Sequence, residues 1–283
     1  LHAKLKIIIS MAIFGTVSIF VRKISLSSGE IALSRAVIAT IVILVYKALL
    51  RKGLSISDIK KDIPILFISG VALGFNWILL FQAYKYTSVS IATLSYYFAP
   101  VIVMVLSPIL FKEKMTIKQI ICFVMSTIGL ILVIDIRGMD KLSANLIGIG
   151  FGLGAAVLYA TVVLLNKFVK NVIGIDKTLI QLFAAAIVLA PYVLATTGIN
   201  IGSLDTIGII NLLILGIVHT GICYCMYFSS LKDLKGQEAS ILSYIDPLVA
   251  IILSVAILNE PITSMQLIGG IMILGFTLVN EIE

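Results

Sequence analysis

Ten long apolar runs, separated by short connections, constrain this chain more than any other feature. A membrane-spanning α-helix needs about 20 mostly apolar residues, and each run is close to that length. The runs cover 5–22, 29–50, 64–84, 88–111, 116–134, 145–166, 177–197, 206–230, 236–258 and 264–281. They predict an all-α integral membrane protein with ten transmembrane helices and no room for a soluble domain between them.

The composition excludes the main alternatives to a membrane protein. Apolar residues make up 60% and charged residues 12% of the 283 positions, and the mean hydropathy is +1.16. Soluble domains have about 45–50% and 25%, and cannot hide so much apolar surface. Disordered chains, disulfide-rich scaffolds and ordinary cytosolic enzymes are therefore excluded. The three cysteines, Cys122, Cys223 and Cys225, lie inside apolar runs and are predicted to be small buried hydrophobic residues.

The distribution of lysine and arginine predicts the orientation in the membrane. If the N-terminus is cytoplasmic, fifteen of the 21 Lys and Arg residues fall on the cytoplasmic side and five on the other side. This bias follows the positive-inside rule. It predicts a multi-pass protein of the plasma (inner) membrane with both termini in the cytoplasm. The net charge of +7 is thus explained by topology, with membrane lipid as the surroundings and no nucleic-acid partner.

An internal repeat divides the chain into two halves. The segments YFAPVIVMVLSPILFKEK (97–114) and YIDPLVAIILSVAILNEP (244–261) share four residues at an offset of 147, which are Tyr97/Tyr244, Pro100/Pro247, Ser107/Ser254 and Glu113/Glu260. Each half holds five spans, an odd number, so the second half enters the membrane from the opposite side. We therefore predict two inverted five-helix units, 1–138 and 139–283, around a central cavity, with Glu113 and Glu260 on opposite sides.

The repeated tract carries a family resemblance. The stretches EKMTIKQIICFVMSTIG (113–129) and EPITSMQLIGGIMILG (260–275), together with the ten spans, resemble the EamA family of the drug/metabolite transporter superfamily. The resemblance implies a basket-like bundle in a monomer or homodimer, with helices 5 and 10 at the periphery. It also implies export or exchange of amino acids or similar small metabolites. The alternative is an uptake carrier, uniporter or channel for another solute, such as an organic cation, a nucleoside or a drug.

Pro100 and Pro247 lie near the middle of predicted helices 4 and 9. A proline inside a helix removes a backbone donor and clashes with the preceding turn, so it kinks the helix. Two interpretations remain open: a hinge that lines the cavity, or a static packing kink.

Three charged or titratable side chains are predicted at membrane depth. A lone carboxylate there costs about 2.5–3.5 kcal/mol, so Asp246 should face the bundle interior, where it either binds a solute ammonium or a proton or joins helices. His219 either titrates as a partner of Asp246 or has a structural role. Arg35 either snorkels outward, pairs across helices or attracts a substrate carboxylate.

Polar aromatic residues are predicted to line the cavity. A tyrosine offers an apolar face and a hydroxyl group, which suits amphipathic solutes; the alternative for each residue is interhelical packing. The aromatic candidates are Trp77, Tyr96, Tyr97, Tyr159, Tyr224 and Tyr244, and Asn76 adds a neutral donor and acceptor. Closely spaced glycines, Gly148, Gly150, Gly152 and Gly154, predict close helix contacts.

Motifs of other function classes do not occur in the sequence. There is no Walker A sequence, no metal-ligand cluster and no nucleophile–base set. We therefore predict a carrier rather than an enzyme, with no cofactor and no metal. Its predicted partners are a small-molecule solute and, as a candidate coupling ion, the proton.

Overall fold

The computed structural model describes residues 3–50, 59–112, 115–134, 142–172, 174–231, 233–234 and 236–282. Within these ranges the chain forms helices and no β-strand. Helical segments follow all ten apolar runs, and nine are long and apolar enough to cross a membrane. The chain is therefore an all-helical, multi-pass membrane protein, as predicted.

The helical segments are numbered α1 to α10 in chain order. In the first half, α1 comprises Ala3–Gly15 and Val17–Val21, α2 is Ser28–Leu49, α3 is Ile63–Tyr86, α4 comprises Val89–Tyr96 and Ala99–Phe111, and α5 is Ile117–Ile134. In the second half, α6 is Leu142–Phe168 and α7 is Gly174–Thr196. After a short 3₁₀ turn, α8 comprises Thr206–Ile214, a π-helical stretch Leu215–Ile222 and Cys223–Leu231. Finally, α9 comprises Gly236–Ser243 and Ile245–Ala256, and α10 is Ser264–Glu281.

Helices α4 and α9 are each interrupted near the middle. The first part of α4 ends at Tyr96, and the first part of α9 ends just before Tyr244. Pro100 and Pro247 follow each interruption by about one turn. Because proline has no N–H and its ring clashes with the preceding turn, the helical ladder cannot continue through these positions. Among the described residues, the apolar stretch of α9 is Ile241–Ala256, which is shorter than the other spans.

The threonine and glutamine of the repeated tract begin α5 and α10. The Thr116 N–H donates to Oε1 of Gln119 (2.8 Å), and the Gln119 N–H donates back to Oγ1 of Thr116 (3.2 Å). Thr263 and Gln266 form the same reciprocal pair, at 3.0 and 3.2 Å. These capping boxes satisfy backbone donors that a helix start leaves open. The repeated tract is thus a helix-start signal used twice.

Helices α2 and α7 pack against each other in antiparallel directions. Glu30, in the first turn of α2, accepts a hydrogen bond from the N–H of Asn200, beyond the end of α7 (2.6 Å). Asp176, in the first turn of α7, pairs with Lys47 in the last turn of α2. Each helix therefore begins where the other ends.

Helices α5 and α10 also form an antiparallel pair. Lys118, near the start of α5, donates to the carbonyl of Ile282, which follows α10. A Cβ atom added to Gly269 would clash with the Gly129 carbonyl, and one added to Gly129 would lie 2.7 Å from the Gly269 carbonyl. The two backbones therefore touch, which only glycine allows.

Three of the four glycines near the start of α6 make close helix contacts, as predicted. A Cβ at Gly148 would clash with Thr87, one at Gly152 with Ser95, and one at Gly154 would press on Leu79. The prediction for Gly150 is wrong, because no atom of another element lies within 4 Å of its Cβ position. The three cysteines are buried and free, as predicted.

The packed interior lies between α1, α2, α3, α6, α7 and α8, where most of the largest apolar cluster is found. The outward faces of α2, α5, α7 and α10 expose large apolar side chains, which suits contact with lipid. The predicted position of Glu113 lies outside the described residues, as do Arg51, Lys52, Lys114, Arg137, Lys141, Lys232 and Lys235 of the charge count.

Candidate functional site

Arg35 lies in the interior, two turns into α2. Its side chain is 5% exposed, and its guanidinium lies over the ring of Trp77, 4.2 Å from the centroid. The ring of Phe81 is 5.8 Å away, and Nε donates to Oγ1 of Thr220 at 2.5 Å. The expectation that Arg35 snorkels outward is therefore wrong, because aromatic faces and a hydroxyl acceptor hold it between helices.

The π-helical stretch of α8 positions Thr220 and His219. The Thr220 hydroxyl donates to the carbonyl of Leu215 (3.0 Å), five residues earlier, so its oxygen lone pair is left for Arg35. Nε2 of His219 lies 2.7 Å from Oγ1 of Thr16, and Nδ1 lies 3.3 Å from the Ile214 carbonyl. Single π-helical turns often occur at functional sites.

The predicted pair of His219 with Asp246 does not form. His219 instead bonds α1 through Thr16 and packs its ring edge against Phe20, with 4.7 Å between ring centroids. With both nitrogens engaged and only 2% exposure, it has no free edge to offer a carboxylate. The structure thus gives His219 a packing role between α1 and α8.

Asp246 lies at the interruption of α9 and meets the interruption of α4. Its Oδ2 accepts a hydrogen bond from the Tyr97 hydroxyl (2.7 Å), whereas Oδ1 has no hydrogen-bond partner among the described residues. Asp246 and Arg35 interact electrostatically, but these two residues, both described, form no direct ion pair. Each keeps part of its hydrogen-bonding capacity open.

Tyrosines from three helices surround this pair of charges. The ring of Tyr96 contacts those of Tyr97 and Tyr159, with centroids 5.7 and 5.5 Å apart. Tyr224 contacts Phe14 on α1 at 5.5 Å. The hydroxyl groups of Tyr96, Tyr159 and Tyr224 make no hydrogen bond with any described residue. These groups form an aromatic wall with open polar tips, which suits an amphipathic solute.

Two further predicted site residues make contacts of another kind. Nδ2 of Asn76 donates to the Ala155 carbonyl (2.6 Å) and so joins α3 to α6, whereas its buried Oδ1 has no hydrogen-bond partner among the described residues. Tyr244 packs against an apolar cluster of α5 and α10, which Tyr97 also contacts.

A cavity of about 270 Å³ begins beside the aromatic wall. Tyr159 and Pro100 lie at its boundary, as do Ser107 and Lys167 further along α4 and α6. Nζ of Lys167 donates to Oγ of Ser107 (2.9 Å) and lies 5.0 Å from the Phe111 ring centroid. The site is therefore adjacent to open space toward the C-terminal ends of α4 and α6.

A hydrogen-bonded cluster joins the helices at the other end of the bundle. Glu260 pairs with Arg22 at the end of α1, accepts from the Val89 N–H at the start of α4 (2.8 Å), and accepts from the Ser254 hydroxyl. Arg22 also donates to the carbonyls of Tyr84 and Thr87, both at 3.0 Å. We call these groups the Arg22–Glu260 cluster.

The antiparallel packing of α3 and α6 shows that the cluster and the cavity lie at opposite ends of the bundle. Thr87, just after α3, bonds Asn145 near the start of α6 (2.9 Å). Asp62, just before α3, accepts from the Asn171 N–H just after α6 (2.7 Å). The sequence marks Glu260 only as a residue repeated at a fixed spacing from Ser254, and nothing in it indicates Arg22 as the partner.

Comparison with known proteins identifies a family. The model of the EamA-like transporter family matches residues 3–135 and again 146–280. An uncharacterized transporter, YxxF, of Bacillus subtilis (strain 168) is 30% identical over 99% of this chain and 90% of that protein. Protein PecM of Dickeya dadantii (strain 3937) is 26% identical over 76% of this chain and 73% of that protein. A crystal structure with 16% identity superposes with a TM-score of 0.65, covering 98% of this chain and 96% of the other, so the two share a fold. The names of the family and of YxxF indicate a transporter rather than an enzyme.

Proposed function

Because this chain belongs to the EamA-like transporter family, we propose that it is a secondary carrier that exports or exchanges amino acids or similar small metabolites by alternating access. The observation that carries the proposal is the pair of opposite charges, Arg35 and Asp246, enclosed by tyrosines between a sealed end and an open cavity. A carrier needs such a site to be reachable from one side at a time.

The packing of equivalent helices supports an inverted repeat. Helices α2 and α7, α4 and α9, and α5 and α10 are matched by position in the two halves. The members of each pair contact each other, and their ends meet head to tail: Glu30 with Asn200, Val89 with Glu260, and Lys118 with Ile282. Antiparallel contact between equivalent helices is what a twofold axis in the membrane plane requires.

Local details recur at the repeat offset and support the same arrangement. Lys112 and Asn259, 147 positions apart, both adopt the left-handed conformation, with φ of 57° and 52°. A Cβ at Gly74 would meet Leu189 at 3.0 Å, and one at the equivalent Gly221 would meet Val42 at 2.5 Å. Val42 and Leu189 are themselves 147 positions apart, so one contact is the counterpart of the other. We propose the halves 1–138 and 139–283, which the two matched segments of the family model fit.

The two ends of the bundle support a carrier captured open to one side. The Arg22–Glu260 cluster ties α1, α3, α4 and α9 together at one end, whereas a cavity lies beside Lys167 at the other. With the lysine and arginine bias, we assign the Lys167 end and both termini to the cytoplasm of a plasma membrane protein. The interruptions beside Pro100 and Pro247 would then serve as hinges between the closed and open ends.

The choice of solute follows from the side chains of the site. Aromatic walls accept an apolar group, and Oδ1 of Asp246 is open for an ammonium or a proton. An uptake carrier or a channel for an organic cation, nucleoside or drug is the competing function, since an acidic group among aromatic rings also suits cations.

Liposome flux separates these functions. Purified protein is reconstituted, loaded with unlabelled amino acid, and tested for uptake of the labelled form. A carrier gives saturable uptake that is accelerated by solute on the other side, whereas a channel shows no such acceleration. Uptake of organic cations in place of amino acids would contradict the proposed solute class.

Proton coupling is tested by Asp246→Asn, because asparagine keeps an acceptor for Tyr97 but cannot bind a proton. We expect the variant to catalyse exchange with a weaker affinity for amino acids, because the ammonium loses a charged partner, and this exchange should no longer respond to a pH gradient. His219→Gln is the matched control, since the structure assigns His219 to helix packing. Undiminished gradient dependence in Asp246→Asn would remove Asp246 from this role.

A further inference from the structure

We propose that Arg35 is the carboxylate-binding group of this carrier, and that it receives a solute carboxylate end-on at Nη1 and Nη2. The inference rests on the proposed transport function and specifies its substrate class: small zwitterions with an apolar side chain, in preference to organic cations or neutral nucleosides.

The surroundings leave Arg35 only one open edge. The Trp77 ring covers a face of the guanidinium at 4.2 Å, Phe81 lies 5.8 Å away, and Nε is bonded to Thr220. Among the described residues, the hydrogen bond of Arg35 is the one from Nε, and Nη1 and Nη2 make none. Four of the five N–H donors of an arginine are on these two nitrogens. N–H donors without a partner are costly on a side chain that is only 5% exposed, so we infer that a ligand satisfies them.

Arginine keeps its charge at any physiological pH, so the charge must be balanced by another group. Glu30, on the same helix, is occupied by the N–H groups of Ser27 and Asn200. Asp246 interacts electrostatically with Arg35 but is held by Tyr97 and does not pair with it. Among the described residues, therefore, no carboxylate occupies the Nη edge.

A carboxylate matches this edge in charge and shape. Two parallel N–H donors bind the two oxygens of a carboxylate, the strongest common form of side-chain recognition. Thr220 holds Nε and so fixes the direction of the fork. At the offset of 147, the counterpart of Arg35 in the second half is Leu182, which is apolar and buried. The open charge is therefore particular to the first half.

A zwitterion would satisfy both charges of the site together. Its carboxylate binds Arg35, its ammonium binds the open Oδ1 of Asp246, and its side chain lies against Tyr96, Tyr159 and Tyr224. A cation would neutralise Asp246 and leave Arg35 unbalanced, with the penalty that a buried charge carries. The geometry thus favours zwitterions.

The chain contains a built-in reporter for this site. Trp77 is its only tryptophan and touches the Arg35 guanidinium. In detergent-solubilised protein, Trp77 fluorescence is titrated with l-leucine, with isocaproate, which lacks the ammonium, and with leucinamide, which lacks the carboxylate. We expect saturable changes with both carboxylates and about 10- to 100-fold weaker binding of the amide, the range for charged hydrogen bonds. Equal titration by acid and amide, or no saturable change with either acid, would overturn the inference.

Variants separate binding from folding. Arg35→Gln should lose the preference for carboxylates over the amide. Thr220→Val keeps the charge but frees Nε, so affinity should fall several-fold while the preference stays. Lys85→Gln, which removes a lysine bonded to the Leu26 carbonyl at 3.1 Å, is the charge control and should titrate like the parent. If Arg35→Gln does not fold, loss of affinity without loss of preference in Thr220→Val still supports the assignment, and unchanged affinity in Thr220→Val contradicts it.

Transport data keep this inference distinct from the proposed function. Carboxylate binding at Trp77 without amino acid flux would retain the site and reject the carrier. Amino acid flux that Arg35→Gln leaves unchanged would retain the carrier and reject Arg35 as its carboxylate site.

Discussion

Glu260→Gln should open the sealed end of the bundle. The carboxylate has three partners in the described structure: Arg22, the Val89 N–H and Ser254. Its side chain is 13% exposed and that of Arg22 is 30% exposed, so solvent screens the pair only in part. Gln keeps one acceptor but loses the charge and the second acceptor, leaving the Arg22 guanidinium unbalanced.

The magnitude follows from the hydrogen bonds and the ion pair that a glutamine at position 260 cannot make. Hydrogen bonds to charged groups contribute about 1.5–3 kcal/mol each, and breaking a half-buried pair costs somewhat less than breaking a buried one. A loss of about 2–4 kcal/mol from the closed arrangement shifts the open-to-closed ratio at this end by about 30- to 1,000-fold. The fold should survive, because the cluster joins helix ends and its two charged side chains are partly exposed.

The assay measures access to a cysteine beneath the cluster. Ser90, one residue after Val89, is 2% exposed, and Ser90→Cys in a parent without Cys122, Cys223 and Cys225 gives one thiol for a membrane-impermeant maleimide. We expect labelling at least about tenfold faster with Glu260→Gln, since labelling tracks the open population.

The matched control removes a surface ion pair. Lys4 and Glu238 pair at 2.7 Å with side chains 60% and 39% exposed, so Lys4→Gln should leave the labelling rate almost unchanged. If Glu260→Gln folds with an unchanged melting temperature and labels no faster than the parent, the cluster does not close this end, and its hydrogen bonds and ion pair have no part in sealing the bundle.

Two further predictions concern helix packing and are read from unfolding in detergent. Gly269→Ala places a Cβ against the Gly129 carbonyl and should destabilise the protein by about 1–3 kcal/mol. The control, Gly275→Ala, has no described neighbour within 4 Å of its Cβ and should be neutral or stabilising by up to about 1 kcal/mol. Equal effects of the two substitutions would contradict the close contact. Lys47→Met leaves Asp176 unpaired and should lower the free energy of unfolding by about 2 kcal/mol, less than for a fully buried pair because Asp176 is 29% exposed. Adding Asp176→Asn should recover part of this stability. If it recovers none, the broken ion pair is not the cause of the loss.

The features that can be predicted well from the sequence depend on residues that are close together in the chain. Hydrophobic length predicted the spans, and the two prolines predicted an irregularity in the middle of α4 and α9, as found beside Pro100. The capping box of Thr116 was not predicted, although the threonine and glutamine of the repeated tract are a local signal of a helix start. These signals act within one or two turns and need no knowledge of neighbouring helices. The contacts between equivalent helices could not be predicted in this way, because they join residues more than 100 positions apart.

The partners of buried polar groups were not predictable in the same way. Three alternatives stayed open for Arg35, because its helix position alone cannot reveal that Trp77 and Thr220 face it. For His219, a pair with Asp246 and a structural role both stayed open, because depth in the membrane does not specify direction around a helix axis. The π-helical stretch turns His219 toward Thr16 and Thr220 toward Arg35, and no sequence pattern indicated that stretch.

Helix α4 physically connects the proposed binding site with both ends of the bundle. Its first part, Val89–Tyr96, is held by Glu260, and its second part, Ala99–Phe111, borders the cavity. Tyr97 lies at the interruption between them and donates its hydroxyl proton to Asp246. An ammonium on Oδ1 of Asp246 draws on the charge of the same carboxylate that accepts from Tyr97, so solute binding acts at the interruption between the two parts of α4. We therefore expect solute binding to Arg35 and Asp246 to change the accessibility of the sealed end, although neither residue belongs to the Arg22–Glu260 cluster.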